Sequence, residues 1–394
     1  MRSKKGGDQN GPTSAFLSER KFSNDNVQRR LSPSTLAALH DKFGHERLSK
    51  VQALTIDPLL EGRDVFAVSK TGSGKTMAFL LPVIERALNA SNAPNAPTVS
   101  SFARVHGVVI SPTKELAAQT YEEAVKLLTN VSTERLRAEL VIGGNSRQAD
   151  LRALSSSQTS GRGGDIAVLV ATPGRLEDHV SNTPGFARDA LNNTRIVVLD
   201  EADRMLDAGF KKPLENILDA TSSSERQTVM VTATLPPDVR QLAAKYMKPD
   251  ALTIDVAAAT GQKDDERQPR VNPAVRHRVL VAPHGLVHHA AVQAICEHAA
   301  AHAEFKIIVF YPFKRMVQLM GELLRQVLPS SCLGPDAQVL EIHADLQQSQ
   351  RDRASIAFRN GKRVVLLGTD VIARGVDYPD VTFVLQVGLT DRET

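Results

Sequence analysis

The segment from Asp64 to Thr76 reads DVFAVSKTGSGKT, and it decides the fold. It starts as an apolar, strand-like run, and Met77–Ala90 after it has the pattern of a helix. Glycines let the chain between them curl until successive N–H groups face inward, and the positive end of the following helix adds to this concavity. The pattern predicts a phosphate-binding loop of eight residues, Ser69, Lys70, Thr71, Gly72, Ser73, Gly74, Lys75 and Thr76. In such a loop Lys75 reaches the outer phosphates of a nucleotide and the Thr76 hydroxyl holds Mg²⁺. Because Ser69 stands where the strict pattern has Gly, an ordinary turn stays open for this loop alone, at about one in ten.

The composition is that of a globular protein with two cores. A chain of 394 residues is long for one domain, and 42% hydrophobic residues are ample for folding. The pI near 9.0, at a net charge of +4, gives mild support for a polyanionic partner. Cys296 and Cys332 are too few for a disulfide framework or a Cys-based zinc site, which favours an intracellular, reducing compartment. No apolar run approaches the roughly 20 residues that a membrane span needs.

Strand-like and helix-like segments alternate in two series. The predicted strands of the first series are Asp64–Val68, Val105–Ile110, Ala138–Ile142, Ile166–Val170, Arg195–Leu199 and Thr228–Val231. Most are nearly continuous runs of Val, Ile and Leu, which is typical of a parallel sheet covered on both faces. The predicted strands of the second series are Arg276–Val281, Lys306–Tyr311, Gln338–Ile342, Arg363–Leu367 and Val381–Val387, with helices over Leu286–Ala303 and Gln348–Arg359. We therefore predict a flexible polar tail over 1–31, α/β domains over 32–256 and 274–394, and a flexible linker over 257–273.

Four residues with three carboxylates, Asp200-Glu201-Ala202-Asp203, end the apolar run Arg195–Leu199. In open parallel sheets the ligand crevice lies at the carboxyl ends of the strands. Asp200 is therefore predicted to reach the Mg²⁺ held by Thr76, and Glu201 to orient or deprotonate an attacking water. Taken alone, these acids could equally be a helix N-terminus that complements the dipole. The phosphate-binding loop makes that alternative much weaker.

With these residues in place, the chain resembles the DEAD-box family of ATP-dependent RNA helicases over nearly its whole length after the tail. Residues 44–52 resemble the family's Q motif, in which the glutamine, here Gln52, reads the adenine edge. The segment Thr232, Ala233, Thr234 resembles the interdomain coupling motif, with Thr232 where Ser is usual. The resemblance implies two RecA-like parallel-sheet domains joined by a flexible linker, with ATP and Mg²⁺ as cofactors. It also implies RNA-dependent ATP hydrolysis that unwinds short RNA duplexes as the domains close.

Further motifs of the resemblance imply residues that bind RNA. They are Pro112, Thr113, Lys114 (where Arg is common), Gly144, Thr172, Gly174 and Arg175 in the first domain, and Gln348, Arg351 and Thr369 in the second. The resemblance also places Gly375 and Asp377 beside the nucleotide. Strand ends that open helices or turns can hold phosphate oxygens, which gives sequence-independent, salt-sensitive binding. Contacts to 2′-hydroxyls would favour RNA over DNA. Ordinary turn chemistry stays open for each Gly and Pro alone, and a solvated helix charge for Arg175 and Arg351.

A cluster of histidines offers one competing interpretation. His288, His289, His298 and His302 fall on one helical segment without carboxylate or cysteine partners in an ordered pattern. We favour a solvated or packed helix face over a metal site by roughly nine to one.

The sequence ends at Thr394, soon after the predicted strand Val381–Val387. In the family, a His-Arg-Gly-Arg-rich motif follows that strand, and its arginine fingers are worth about 10³ to 10⁵ in rate. We therefore expect a C-terminally truncated, loosely packed second domain and a polypeptide that binds ATP but hydrolyses it poorly. A non-hydrolysing RNA- and ATP-binding fragment is thus one alternative. A DNA-unwinding relative is another, against which Gln52, Asp200–Asp203 and Thr172–Arg175 argue. The mitochondrial matrix, the nucleus and the cytoplasm all stay open as compartments.

Overall fold

The computed structural model describes residues 17–22, 25–43, 47–69, 73–91, 101–131, 136–156, 164–192, 194–223, 225–259, 275–331, 333–334, 336–343, 345–369 and 378–388. The chain divides into two compact units, residues 1–275 and residues 276–394. Each unit contains a parallel sheet with helices packed against it, so the prediction of two parallel-sheet domains is confirmed. Most of the predicted linker over 257–273 lies outside the described residues.

The first unit contains a small antiparallel pair and a seven-stranded parallel sheet. Its described strands are β1 Leu17–Lys21, β2 Arg47–Ser49, β3 Val65–Val68, β4 Val105–Ile110, β5 Leu136–Val141, β6 Asp165–Ala171, β7 Ile196–Asp200, β8 Gln227–Thr232 and β9 Leu252–Asp255. Its described α-helices are α1 Asp25–Gln28, α2 Pro33–Ala38, α3 Lys50–Leu60, α4 Lys75–Ser91, α5 Lys114–Leu127, α6 Arg147–Leu154, α7 Pro173–Asn182, α8 Ala202–Asp207, α9 Lys211–Ala220, α10 Pro237–Tyr246 and α11 Val256–Ala259. The large sheet has the order β5-β6-β4-β7-β8-β3-β9, and β1 pairs with β2.

Both faces of the large sheet are buried, as the continuous apolar strands predict. Successive residues of a strand point to opposite faces: Val109 belongs to the core under α3, α4 and α5, whereas Val108 and Ile110 belong to the core under α7 to α10. Each fully buried Val, Ile or Leu side chain stabilises the fold by about 1.5–3 kcal/mol. The two cores thereby fix the strand ends to which the predicted site residues are attached.

The second unit contains a four-stranded parallel sheet in the order β11-β12-β10-β13. Its described elements are α12 Val287–Ala301, β10 Phe305–Phe310, α13 Lys314–Ser331, β11 Gln338–Ile342, α14 Gln348–Asn360, β12 Arg363–Gly368 and β13 Phe383–Gln386. Ile295 of α12 and Met320 of α13 pack on one face, and Phe358 of α14 packs on the other. The predicted helices over Leu286–Ala303 and Gln348–Arg359 are confirmed within a few residues.

The amino-terminal segment differs from the flexible tail that we predicted over 1–31. Within it, Leu17–Lys21 form β1, and Phe22 and Val27 are buried in the core beside α3 and α4. The Arg20 guanidinium lies 2.7 Å from the Asp57 carboxylate. Pairing with β2, more than 25 residues away, holds this polar strand in place, and local apolar periodicity carries no signal for such pairing.

The prediction of a strand over Arg276–Val281 is wrong. These residues form no strand, and Val279 and Val281 are 91% and 89% exposed. A segment becomes a strand only where a neighbouring strand pairs with it, and none of the described strands pairs with this one.

Cys296 also departs from the expectation of thiols without a disulfide, because it is disulfide-bonded here. The compartment stays a prediction. In the part of the chain that is described, no helix has both the length and the apolar character that crossing a bilayer requires.

Candidate functional site

The carboxyl edge of the first sheet collects nearly all the predicted site residues of its unit. The loops after β3, β7 and β8 carry the phosphate-binding loop, Asp200–Asp203 and Thr232–Thr234. The loops after β4, β5 and β6 carry Pro112–Lys114, Gly143-Gly144 and Thr172–Arg175. Each set belongs to three adjacent strands, and the two sets meet where β4 pairs with β7. One sheet edge therefore presents two neighbouring groups of loops with different residue chemistry.

The phosphate-binding loop follows β3 and opens α4, as the sequence predicts. Lys75 is the first residue of α4 and is 7% exposed, and its Nζ donates a 2.9 Å hydrogen bond to the Ser69 carbonyl. The Ser69 and Ser73 hydroxyls lie 2.8 Å apart. Lys75, which is predicted to bind phosphates, is therefore hydrogen-bonded to the backbone at the start of its own loop. Lys70, Thr71 and Gly72 lie outside the described residues.

Gln52 connects the Q-motif segment to this loop. Its Oε1 accepts a 2.8 Å hydrogen bond from the Ser49 N–H, and its Nε2 donates a 3.0 Å bond to the Gly74 carbonyl. Gly74 has φ +85°, and a Cβ added there would lie 2.9 Å from Gln52 Nε2. The side chain that is predicted to read adenine therefore packs directly against the loop that is predicted to hold phosphates.

Asp200 ends β7 and Glu201 follows it, and both carboxylates are buried. They are 3% and 5% exposed. Burial raises the pKa of Asp200 to about 7; the Lys75 ammonium opposes this rise, and the Glu201 carboxylate adds to it. Glu201 has φ +55°, an uncommon conformation for a residue other than glycine, and its carboxylate pairs with the Arg204 guanidinium. The interaction of Lys75 with Asp200 agrees with the prediction that Asp200 reaches the sheet edge where the phosphate-binding loop lies.

Asp203 joins the end of β7 to the segment after β8. Its Oδ2 accepts hydrogen bonds from the Thr234 N–H at 2.9 Å and from the Thr234 hydroxyl at 2.7 Å. The Thr232 hydroxyl donates to the Thr234 carbonyl at 2.7 Å, and the Thr232 carbonyl accepts from the Ser69 N–H at 2.9 Å. A short chain of bonds thus runs from Asp203 through Thr232–Thr234, which includes Ala233, to the phosphate-binding loop.

The second group of loops exposes helix beginnings and turns. The Thr113 hydroxyl accepts from the Leu116 N–H at 3.2 Å and so caps α5. Lys114 packs over the next loop, since a Cβ added at Gly143 would lie 3.5 Å from Lys114 Cε. Gly144 is exposed, with φ +97°. Such N–H-rich helix beginnings and turns suit phosphate oxygens.

The loop after β6 completes this group. Thr172 precedes α7, whose first residue is Pro173, and the Thr172 side chain makes no capping hydrogen bond. Gly174 is exposed in the first turn of α7. Arg175 behaves differently from a solvated charge, because its Nε donates to Asp150 at 2.7 Å and its guanidinium also donates to the Asn145 carbonyl at 2.6 Å.

Three predicted residues of the second unit fall on described positions. Thr369 directly follows β12 and is 8% exposed, and Gln348 and Arg351 lie in the first turn of α14. Both elements end or begin at the carboxyl edge of the second sheet, as the predicted ligand edge requires. Gly375 and Asp377 lie outside the described residues.

Comparison with known families decides the identity of this arrangement. The DEAD/DEAH box helicase model matches residues 49–242, and the helicase conserved C-terminal domain model matches residues 290–394. The chain belongs to the DEAD-box helicase family. Each matched range lies within one of the two sheet-bearing units, and the family resemblance seen in the sequence motifs is confirmed.

Curated DEAD-box relatives match along almost the whole chain. DEAD-box ATP-dependent RNA helicase 25 of Oryza sativa subsp. japonica is 38% identical over 391 residues, which are 99% of this chain and 60% of that protein. Helicase 26 of the same organism is 39% identical over 384 residues, 97% of this chain and 64% of that protein. The chain therefore spans under two thirds of the length of these relatives.

A solved DEAD-box structure shares the fold. Mss116p with its NTE and C-tail deleted, bound to ssRNA and AMP-PNP, superposes with a TM-score of 0.76 at 26% identity. The match covers 95% of this chain and 70% of that one. The prediction of RecA-like parallel-sheet domains is thereby confirmed.

Some site features of this DEAD-box protein escaped the sequence-based predictions. Asp150 is 2% exposed and contacts both Arg175 and His179, and Ser49 forms a capping box with Gln52. An Asp on a polar helix, or a Ser before one, is too common to mark a site. Only the expectation that a partly buried Arg175 needs a carboxylate partner could have pointed to Asp150.

The histidine segment shows packed rings. His298 stacks on His302 at 4.1 Å and on Phe383 at 4.8 Å, and His288 lies 6.0 Å from the Tyr311 ring. Across the described residues, no three His, Cys, Asp or Glu side chains converge on a possible metal position.

Proposed function

We propose that this chain is the two-domain body of an ATP-dependent RNA helicase, an RNA-dependent ATPase that locally unwinds short RNA duplexes. The observation that carries the proposal is the division of one sheet edge. The adjacent strands β3, β7 and β8 present the phosphate-binding loop, two buried carboxylates and the segment Thr232–Thr234. The neighbouring strands β4, β5 and β6 present helix beginnings and turns that suit phosphate oxygens. A nucleotide and a polyanion could then bind side by side on one rigid element.

In this proposal, contacts to ATP replace hydrogen bonds that Lys75 and Gln52 make within the chain. The Lys75 ammonium would leave the Ser69 carbonyl for the outer phosphates, and Gln52 would turn from Gly74 towards the adenine edge. Glu201, held by Arg204, would orient the attacking water. Ser69–Thr76 would surround the phosphates, and Gly375 and Asp377 would approach the nucleotide from the second unit.

The donor set fits Mg²⁺. Asp200 is an almost fully buried carboxylate whose charge is costly there, as its raised pKa indicates, and a hard cation prefers oxygen ligands of this kind. The Asp200 carboxylate and the Thr76 hydroxyl would hold the ion. When bound, Mg²⁺ would neutralise charge that develops on the phosphates.

RNA would bind through its backbone. Thr113, Gly144, Thr172 and Gly174 offer N–H groups or hydroxyls, Lys114 offers a cation near the first two loops, and Pro112 would contribute only its place in the turn before α5. Thr369, Gln348 and Arg351 would contribute the second half of the site. Such contacts read no bases, so binding should be independent of sequence and should weaken with salt.

The bond chain from Asp203 through Thr232–Thr234 to Ser69 offers a route for coupling. Closure of two domains, each of which contacts both ligands, would make nucleotide and RNA binding cooperative and would strain a short duplex.

ATP turnover with single-stranded RNA, with DNA of the same sequence and with no nucleic acid tests the function. We expect stimulation by RNA only, abolished in Lys75→Ala and in Glu201→Gln, while Glu201→Gln still binds ATP. Equal stimulation by DNA would favour a DNA-unwinding protein. Tight ATP and RNA binding without turnover in any variant would favour a non-hydrolysing clamp, and no binding of either ligand would refute the proposal.

A further inference from the structure

We infer that Asp150 and Arg175 are positioning residues that hold the loops after β5 and β6 as one rigid RNA-binding unit. The inference rests on the proposed function, because it concerns how the same loops are kept in shape. It also assigns Arg175 a role different from a direct contact with phosphate.

The centre of the arrangement is a buried carboxylate. Asp150 of α6 is 2% exposed, and its Oδ2 accepts a 2.7 Å hydrogen bond from Arg175 Nε. The same oxygen lies 3.2 Å from Nε2 of His179, which is fully buried in α7. A charge-assisted bond in a dry setting is stronger than a neutral one and is costly to leave unmade. The carboxylate of α6 therefore fixes two side chains of α7.

Arg175 transmits this constraint to the loop. Its second donor group gives a 2.6 Å hydrogen bond to the carbonyl of Asn145, the residue that follows Gly144. The donors of a guanidinium form a rigid fork, so the bond to Asp150 sets the direction of the bond to Asn145. Gly144, at φ +97°, has little conformational preference of its own. The bond from Arg175 to Asn145 therefore helps to hold the conformation of the turn at Gly144 and Asn145.

A second brace ties the far end of α7 to the beginning of α6. Arg147 lies 3.2 Å from the Asp178 carboxylate and donates to the Asn182 carbonyl at 2.7 Å and to the Thr183 hydroxyl at 2.8 Å. That hydroxyl lies 3.1 Å from His179 Nδ1, which closes the network. With both ends of α7 joined to α6, the loops after β5 and β6 cannot move independently without breaking several of these bonds.

The consequence concerns the energetics of RNA binding. Loops that are fixed before binding lose less conformational freedom when a phosphate backbone docks on them. Arg175 directs two of its five donors to Asp150 and Asn145. In this inference its contribution to RNA binding passes through the backbone N–H groups that these bonds orient. Removal of Arg175 should therefore weaken RNA binding without removing a phosphate contact.

Salt dependence separates the two roles. We would measure the Kd of a labelled single-stranded RNA for the full chain across a KCl series with AMP-PNP and Mg²⁺. Loss of a cation that touches phosphate lowers the slope of log K against log salt by about one. For Arg175→Gln and Asp150→Asn we expect affinity to fall about tenfold with the slope unchanged. Arg152→Gln, the same charge change at an exposed position of α6, should leave affinity near the starting value.

Two further variants sharpen the result. Arg175→Lys keeps the charge and loses the fork, so it should bind as poorly as Arg175→Gln. The double variant Asp150→Asn with Arg175→Gln should be no weaker than the worse single variant, because both break one network. Circular dichroism checks folding, and if Asp150→Asn does not fold, the Arg175 variants alone decide.

The inference is overturned if Arg175→Gln lowers the slope by about one, if Arg175→Lys binds like the unchanged chain, or if the two losses add. If the unchanged chain shows no salt-dependent RNA binding at all, the proposed function fails, and this inference fails with it.

Discussion

At the scale of single residues, the nucleotide half of the site is held in shape by hydrogen bonds between side chains and the loop segments. Gln52 holds the Gly74 carbonyl, Lys75 holds the Ser69 carbonyl, and Asp203 holds Thr234. These bonds give the empty loop a defined shape, so the loop loses less freedom when a ligand binds, even though ATP would replace the bonds of Gln52 and Lys75. Variants that distort this shape should therefore weaken nucleotide binding beyond their effect on stability.

Gly74→Ala tests the contact between the loop and Gln52. The added methyl would lie 2.9 Å from Gln52 Nε2 at a backbone φ of +85°. We expect nucleotide affinity to fall about tenfold, measured by titration with a fluorescent ATP analogue. Gly209→Ala is the matched control, because Gly209 has φ +82° with nothing within 4 Å of the added methyl. An equal loss of nucleotide affinity in both variants would show that backbone strain alone acts.

Asp203→Ala tests the link between the ends of β7 and β8. The change leaves the Thr234 N–H and hydroxyl without their acceptor, which costs about 1–3 kcal/mol in the free energy of unfolding. Urea unfolding measures this cost, and RNA stimulation of ATP turnover should fall with it. Asp203 lies in α8, and Asp207 is an exposed residue at the end of that helix. The control variant Asp207→Ala should change neither the free energy of unfolding nor the stimulation by RNA. Normal stimulation in Asp203→Ala would contradict the coupling role.

At the scale of elements, side-chain contacts between neighbouring strands help to hold the strands of the first sheet in register. Asp165 at the start of β6 contacts Arg104 at 2.8 Å and His106 of β4 at 3.2 Å. Burial raises the pKa of this carboxyl, but hydrogen bonds from His106 and Arg104 outweigh it and hold the pKa below its usual range. The ionised form is therefore favoured by folding.

This tie predicts a pH dependence. A carboxyl whose pKa is lower in the folded state stabilises the fold above its unfolded pKa of about 3.9, and this contribution is lost as the pH falls through the folded pKa. Asp165→Asn should therefore lower the free energy of unfolding at pH 7, and the difference from the unchanged chain should shrink below about pH 4. Urea unfolding at a series of pH values measures this difference in the free energy of unfolding. Asp250→Asn, at an exposed position, is the control. A difference that does not vary with pH would contradict the argument.

The sequence predicts the elements of the two parallel sheets well for a physical reason. A strand buried on both faces, such as β4 or β7, is a continuous apolar run, and the loops that follow carry recognisable motifs. The sequence analysis missed the polar strand β1 and wrongly assigned a strand to Arg276–Val281, because pairing with a strand that is distant in sequence decides both.

The same limit applies to the site. Asp200 ends β7 and Thr76 lies in the segment that follows β3, so the rule that ligands bind at the carboxyl ends of parallel strands was enough to predict that they share one sheet edge. The Asp150 network and the bond from Gln52 to Gly74 join residues that are 22 or more positions apart on different helices and loops. They depend on how those elements pack, which local pattern does not determine.

At the scale of the whole molecule, the proposed activity requires that nucleotide and RNA influence each other. If both ligands favour one arrangement of the chain, each must raise the affinity for the other by the same factor. The bond chain from Asp203 to Ser69 makes the first unit suited to this, and the second unit brings Thr369 and α14. Coupling, more than the affinity for either ligand alone, is the property that distinguishes a helicase from a protein that merely binds both.

The most direct measurement is the Kd of single-stranded RNA for this chain with and without AMP-PNP and Mg²⁺, by fluorescence anisotropy at one salt concentration. We expect the analogue to tighten RNA binding by about tenfold or more, and to leave the affinity for DNA of the same sequence nearly unchanged. The Lys75→Ala variant should show no tightening. An RNA affinity that is the same with and without the analogue would contradict the account.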